Sequence, residues 1–172
     1  MTNASTATLE PPEAPELQRK VAFYHYQVIG LAFLLVPILA LLGMFDKSTT
    51  HIRTESDELS MEVSYATRHR YKMINDLIVS IQNRSDQPIP LVTVKLSRDY
   101  VDQFSIVTFT PAIVRITDSD YEVEIRDVAA GTSQIVRAEL RGEHYGEHKG
   151  WVNAAAAGLE AVALELTTFI YP

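Results

Sequence analysis

Cysteine is absent from the 172 residues. That removes disulfides, thiolate chemistry and cysteine-ligated zinc or iron–sulfur sites, and leaves core packing as the source of stability. Positive charge is also scarce, with 15 Lys and Arg against 22 Asp and Glu, a net charge of -7 and a pI near 5.2. A chain of that sign has no general attraction for nucleic-acid phosphates, so no nucleic-acid partner is expected. Catalytic signatures are missing too: the sequence holds no Gly-x-Ser-x-Gly elbow, phosphate loop, dinucleotide fingerprint or zincin motif. Carboxylate pairs such as Asp118 with Asp120, or Asp99 with Asp102, lie among turn residues whose local hydrogen bonding accounts for them. Neither an enzyme nor a cofactor is expected.

What is present is an uneven distribution of apolar residues. Residues 21–45 contain no charge and end in the run VIGLAFLLVPILALLGMF. At 1.5 Å per residue, a helix of that length reaches about 37 Å, enough for a hydrocarbon core of about 30 Å. Phe23, Tyr24 and Tyr26 at one end and Phe45 at the other suit the headgroup level, and Pro37 is read as a tolerated bend. A cleaved signal peptide would have a shorter apolar region followed by a small-x-small site. Here Gly-Met-Phe-Asp-Lys follows, so an uncleaved signal-anchor is predicted.

Residues 1–20 hold Asn3, Pro11, Pro12 and Pro15 and only Leu9 and Leu17 as large aliphatics, and are expected to be disordered. Arg19 and Lys20 abut the N-terminal side of the span, whereas Asp46 intervenes before Lys47 and Arg53. The charge bias predicts a single-pass protein of a bacterial plasma membrane, with a cytoplasmic N-terminus and an extracytoplasmic, periplasmic C-terminal domain. The small residues Gly30, Ala32, Ala40 and Gly43 could seat an integral membrane partner.

Beyond residue 45 the apolar period changes to two, and no helix is predicted. Leu59, Met61, Val63 and Tyr65 alternate with polar residues. So do Leu77, Val79 and Ile81; Val92, Val94 and Leu96; Tyr121, Val123 and Ile125; Val136, Ala138 and Leu140; and Val162, Leu164, Leu166 and Ile170. Alternation in segments rich in β-branched and aromatic residues means antiparallel strands with one buried face. The run NAAAAG at 153–158 is read as strand, and Trp151 as core. Turn residues separate the strands at 83–88, 118–120, 130–132 and 146–150. The expected layout is a tail at 1–20, a transmembrane helix at 21–45, a juxtamembrane linker at 46–57 and an all-β sandwich at 58–172.

Several pieces carry a resemblance: LIVSIQNRSD at 77–86, the strand at 92–96, the aromatic stretch with proline at 104–111, the Tyr-x-Val strand at 121–128 followed by Ala130-Gly131, the strand at 135–140, and GEHKGWV at 146–152. In this order they resemble bacterial and archaeal extracytoplasmic immunoglobulin-like repeat domains of the conserved-repeat, adhesion-related kind. The resemblance implies an immunoglobulin-like antiparallel β-sandwich and supplies no catalytic residue. A single copy beside a membrane departs from the tandem arrays of that family and suits an accessory subunit.

Three local features are candidate sites. His144 and His148, with Glu147 or Glu143 nearby, could approach a metal only through a tight turn at Gly146, because on an extended strand they stand about 13 Å apart. Arg68, His69, Arg70 and Lys72, flanked by Tyr65 and Tyr71, form the basic concentration outside the juxtamembrane region. They are read as a solvated edge or as a contact for lipid headgroups or an acidic partner. Asn83-Arg84-Ser85 matches a glycosylation sequon, although a turn explains the same residues. The function expected is a membrane-anchored accessory or interaction subunit that binds or stabilises partner proteins of a membrane complex; the alternative is an envelope glycan- or metal-binding surface domain.

Overall fold

A computed structural model of the chain describes residues 16–41 and 48–172, which fall into two compact units, Met1–Asp46 and Lys47–Pro172. In the first unit, helix α1 spans Glu16–Leu41 and continues through Pro37. It therefore starts within the stretch expected to be disordered, because Glu16, Leu17, Gln18, Arg19 and Lys20 are all good helix formers. The rest of the expected tail, residues 1–15, and the expected end of the helix at 42–45 lie outside the described residues. Among the described residues, no helix is long and apolar enough to cross a membrane. The side chains of residues 16–23, 36 and 39–41 are not in that set.

Among the described residues, the second unit comprises β1 (Thr49–Glu55), β2 (Leu59–Ala66), β3 (Arg68–Arg70), β4 (Ile74–Asn83), β5 (Ile89–Ser97), the single-turn helix α2 (Arg98–Val101), β6 (Phe104–Thr110), β7 (Arg115–Ile116), β8 (Asp120–Val128), β9 (Ser133–Gly142), β10 (Gly146–Ala156) and β11 (Val162–Tyr171). One sheet has the order β1-β2-β4-β9-β6 and the other β3-β11-β10-β5-β8-β7. Pairing is antiparallel except between β3 and β11. The period-two pattern is met in the core: Leu59, Met61, Val63, Val79, Ile81, Val92, Val94 and Val123 are all fully buried between the sheets.

Four local expectations are corrected. The region read as a linker at 46–57 contains β1, paired with β2 from Thr49↔Ala66 to Glu55↔Ser60; its alternation is half-exposed, as suits an edge strand. Residues 146–150, read as a turn, open β10, and the chain reverses at 143–145 instead. A helical turn, α2, follows β5 where no helix was expected. Trp151 alternates with buried Val152 and so faces outward, half-buried and opposite Glu165, while Leu164 is only partly buried and Leu166 takes the core position.

Turn chemistry at one end of the sandwich is closed by Asn83, which is fully buried. Its Nδ2 donates to Gln87 O (2.7 Å) and Val128 O (3.0 Å), and its Oδ1 accepts from the amide (2.9 Å) and hydroxyl (2.7 Å) of Ser85. The sequon asparagine is thus consumed by the turn and offers no site to a glycan. At the other end, α2 lowers Tyr100 against Gly150 in the core. The Tyr100 hydroxyl meets Thr168 Oγ1 at 2.8 Å, which in turn donates to Ala66 O at 2.9 Å. Burial pushes the Tyr100 phenol well above its ordinary pKa, only partly opposed by the Thr168 hydrogen bond.

Candidate interaction surface

The basic stretch sits at the end of the sandwich where β1 begins. Thr67 donates to Ser48 O from both its amide (2.9 Å) and its hydroxyl (3.1 Å), and Thr67 O accepts from the amide of Phe169 (2.9 Å). This stitches β2 to the edge of the other sheet and sends the next residues into β3 beside Phe169–Tyr171. Extended backbone then alternates the side chains: Arg68 and Arg70 point outward and His69 inward, with 2% exposure. The reading of this stretch as uniformly solvated is corrected at His69. Its ring stacks on Phe104 with centroids 5.4 Å apart, and its Nε2 donates to Met73 O at 2.8 Å.

The turn after β3 is clamped on all sides. The Tyr71 amide donates to Tyr171 O (2.8 Å), Lys72 N to Gly142 O (2.9 Å) and Met73 N to Arg70 O (3.1 Å). Those bonds hold Lys72 at φ 62, a left-handed conformation that a lysine adopts only when its surroundings impose it. The consequence is a defined direction for its side chain. Lys72 Nζ lies 4.9 Å from the centroid of the Tyr71 ring and pairs with Glu143. Glu143 also accepts from Ser105 Oγ (2.8 Å) and Arg141 Nε (3.0 Å). The Lys72 ammonium first, then Ser105 and Arg141, hold the Glu143 carboxyl down at about 2 against an ordinary 4.5, and Lys72 is raised in turn by the same bond. Tyr145, next to this cluster, rests on Tyr71 with ring centroids 4.5 Å apart.

The fold therefore joins two stretches that look independent in sequence, 68–72 and 141–150. Around the junction Met73, Ile74, Tyr145 and Phe169 are each at least half exposed, giving a corner that is aromatic, apolar and basic. Sequence reasoning found its cations and missed Ser105, Tyr145 and the binding role of Glu143. Only the turn at 143–145, which a β-hairpin reading would have set beside Met73, could have pointed to them.

The remaining candidates do not come together. His148 Nε2 meets the backbone carbonyl of His144 at 2.8 Å, leaving its ring committed to the main chain. Among the described residues, no group of three or more metal-ligating side chains is placed to hold an ion, Glu147 included; Glu147 pairs instead with Lys149 at 2.8 Å. Gly30 on α1 has open space where a Cβ would be, and Gly43 lies outside the described residues. A cavity of about 10 Å³ beside His69 and Tyr100 has room for about one water. At the far end, an open groove of about 420 Å³ runs between Glu58, Asp86, Pro88, Pro90 and Leu159.

Two stacked sheets over one core, with loops gathered at both ends, define a β-sandwich. Solved structures with this general arrangement include the CARDB domain of a Pyrococcus furiosus protein in complex with di-metal ions, with a TM-score of 0.46 and 6% identity over 68% of this chain and 97% of that one. A cohesin module from a Clostridium perfringens family 33 glycoside hydrolase gives 0.46 and 8% over 72% and 100%. The collagen-binding subdomain of the Enterococcus faecalis surface protein ACE gives 0.38 and 12% over 69% and 99%. The likeness is one of fold alone. No protein-family model matches the sequence, and no curated protein matches it.

Proposed function

We propose that the chain is a membrane-anchored accessory subunit, single-pass with its N-terminus in the cytoplasm. Its extracytoplasmic sandwich, of the repeat type named above, binds or stabilises partner proteins of a bacterial membrane complex. The observation that carries this reading is the apolar character of the helical segment. Residues 21–45 lack any charge, and on α1 the side chains of Val28, Ile29, Leu31, Phe33, Leu34, Leu35 and Ile38 point around the whole helix and are all at least 44% exposed. A helix apolar on every side needs lipid or another chain around it, since each such side chain left in water forgoes about 1.5–3 kcal/mol. At the end that carries the basic stretch the sandwich adds a surface: the space beside His69, about 10 Å³, is far below the roughly 300 Å³ of a small-molecule site.

The test is purification of the full chain from its native membranes in mild detergent, followed by mass spectrometry of what accompanies it. A stoichiometric integral membrane partner, with the chain retained in the pellet after alkaline washing, is the expected result. Release by alkali would remove the anchor. A monodisperse monomer that binds envelope glycan would replace the accessory role with the ligand-binding one.

A further inference from the structure

We propose that the sandwich associates with further copies of itself head to tail, the corner around Arg70, Lys72, Met73 and Tyr145 of one copy entering the groove lined by Glu58, Asp86, Pro88, Pro90 and Leu159 of the next. The inference goes beyond the proposed function and does not rest on it, because both surfaces belong to the second compact unit alone. Three observations carry it.

The first is charge. Lys72 and Arg141 share the single carboxylate of Glu143, which leaves one positive charge over. Arg70 is exposed and, among the described residues, its guanidinium has no partner. At the groove the sign is reversed. Glu58 and Asp86 are exposed carboxylates with no side-chain partner among the described residues, since the neighbouring Arg84 is engaged with Glu55 at 3.1 Å and with Ser56 O at 3.3 Å. Asp57 and Glu160, exposed beside the groove residues Glu58 and Leu159 in sequence, add to the negative charge. The surplus cations of one end can thus meet free carboxylates of the other, which fixes partner and register.

The second is apolar fit. Met73, Ile74 and Tyr145 are each at least half exposed at the corner. The groove, of about 420 Å³, offers Pro88, Ile89, Pro90, Ala157 and Leu159 along its walls. Tyrosine, methionine and arginine are residue types that protein contacts favour.

The third is placement. β4 leaves the corner at Ile74 and reaches the groove side at Asn83, ten residues or about 30 Å away. The two surfaces therefore cannot meet within one copy, and a contact between unlike patches of identical chains extends as an open row. Both are held in shape before they meet. The left-handed backbone at Lys72 and the Tyr71–Tyr145 pair fix the corner. The Asn83 side chain and the Arg84 amide, which donates to Glu58 O at 2.8 Å, fix the groove, so little ordering opposes association.

The absence of native cysteine allows a direct test. Full chains carrying Met73→Cys at the corner or Gln87→Cys at the groove, purified in mild detergent, are treated with copper-phenanthroline separately and as an equal mixture. The expected result is a disulfide-linked dimer from the mixture, about ten-fold above either variant alone. Adding Arg70→Glu to the first chain should lower the yield about ten-fold, and adding Asp86→Lys to the second should restore it. Salt of about 1 M, where the Debye length is about 3 Å, should lower it several-fold. Equal yields from the single variants and the mixture would overturn the head-to-tail contact. A yield indifferent to both charge reversals would overturn it as well and assign association to the α1 segment. A mixture that stays monomeric, with the thiol at position 87 protected only in native membranes, would overturn self-association and give the groove to a different protein.

Discussion

Gly150 and Tyr100 are packed so closely that a Cβ on Gly150 would stand 2.3 Å from Tyr100 Cβ and 2.3 Å from Ser97 Oγ. The glycine is required by proximity, because α2 folds back over β10 and Tyr100 reaches Thr168 through the gap. Gly150→Ala should therefore force α2 outward and break the Tyr100–Thr168–Ala66 chain of hydrogen bonds. The expected cost is about 3 kcal/mol, at the upper end of overpacking. Gly158→Ala supplies the contrast: its φ is 79 and nothing lies within 4 Å, so only backbone strain of about 1 kcal/mol is expected. Chemical unfolding of the full chain, followed by Trp151 fluorescence, compares the two; equal costs would deny the close packing.

The Glu143 cluster makes stability depend on pH in a defined direction. Its carboxyl titrates at about 2 when folded and near 4.5 when free, so its contribution is present above pH 4.5 and is lost as pH falls from 4.5 towards 2. Lys72 is shifted upward from 10.5, so its share is present below pH 10.5 and disappears as pH rises beyond it. Glu143→Gln should accordingly lower the unfolding temperature at pH 7 and make little difference at pH 2. A gap between wild type and variant that persists unchanged down to pH 2 would show that Glu143 acts through packing and not through its charge.

The core face of β11 offers a test of how burial varies along one side of a strand, since Leu164 and Leu166 are two residues apart and point the same way. Leu166 is 1% exposed and Leu164 is only partly buried. Leu166→Ala is expected to cost about 2–5 kcal/mol, as buried leucine truncations do, and Leu164→Ala clearly less. Both values come from the midpoint and slope of denaturant unfolding. A larger loss at 164 would mean that Leu164, and not Leu166, sits deepest on the core face that the two share.

Much of the sandwich could be read before any coordinates, because strand alternation is local: Leu59, Met61 and Val63, or Val92, Val94 and Leu96, announce their buried face through a period of two. The same reasoning placed Asn83, whose short amide closes a turn of neighbouring residues. It failed where local sequence is indifferent. β1 has the composition of a polar linker and becomes a strand because β2 presents it with an edge. Trp151 is large and aromatic, yet its parity against Val152 turns it outward.

The sequence by itself determined the absence of thiol chemistry, the uncharged run at 21–45 and the strand-rich domain after it, since these follow from composition and from periods of a few residues. Only the tertiary structure decided that Lys72 meets Glu143 and that Tyr71 meets Tyr145. The residues of each pair lie more than seventy positions apart, and their meeting depends on the pairing of β4 with β9 and of β3 with β11. Contacts of that range carry no local signature, because the side chains that form them are the ordinary polar and aromatic residues of turns until the sheets bring the two turns to one corner.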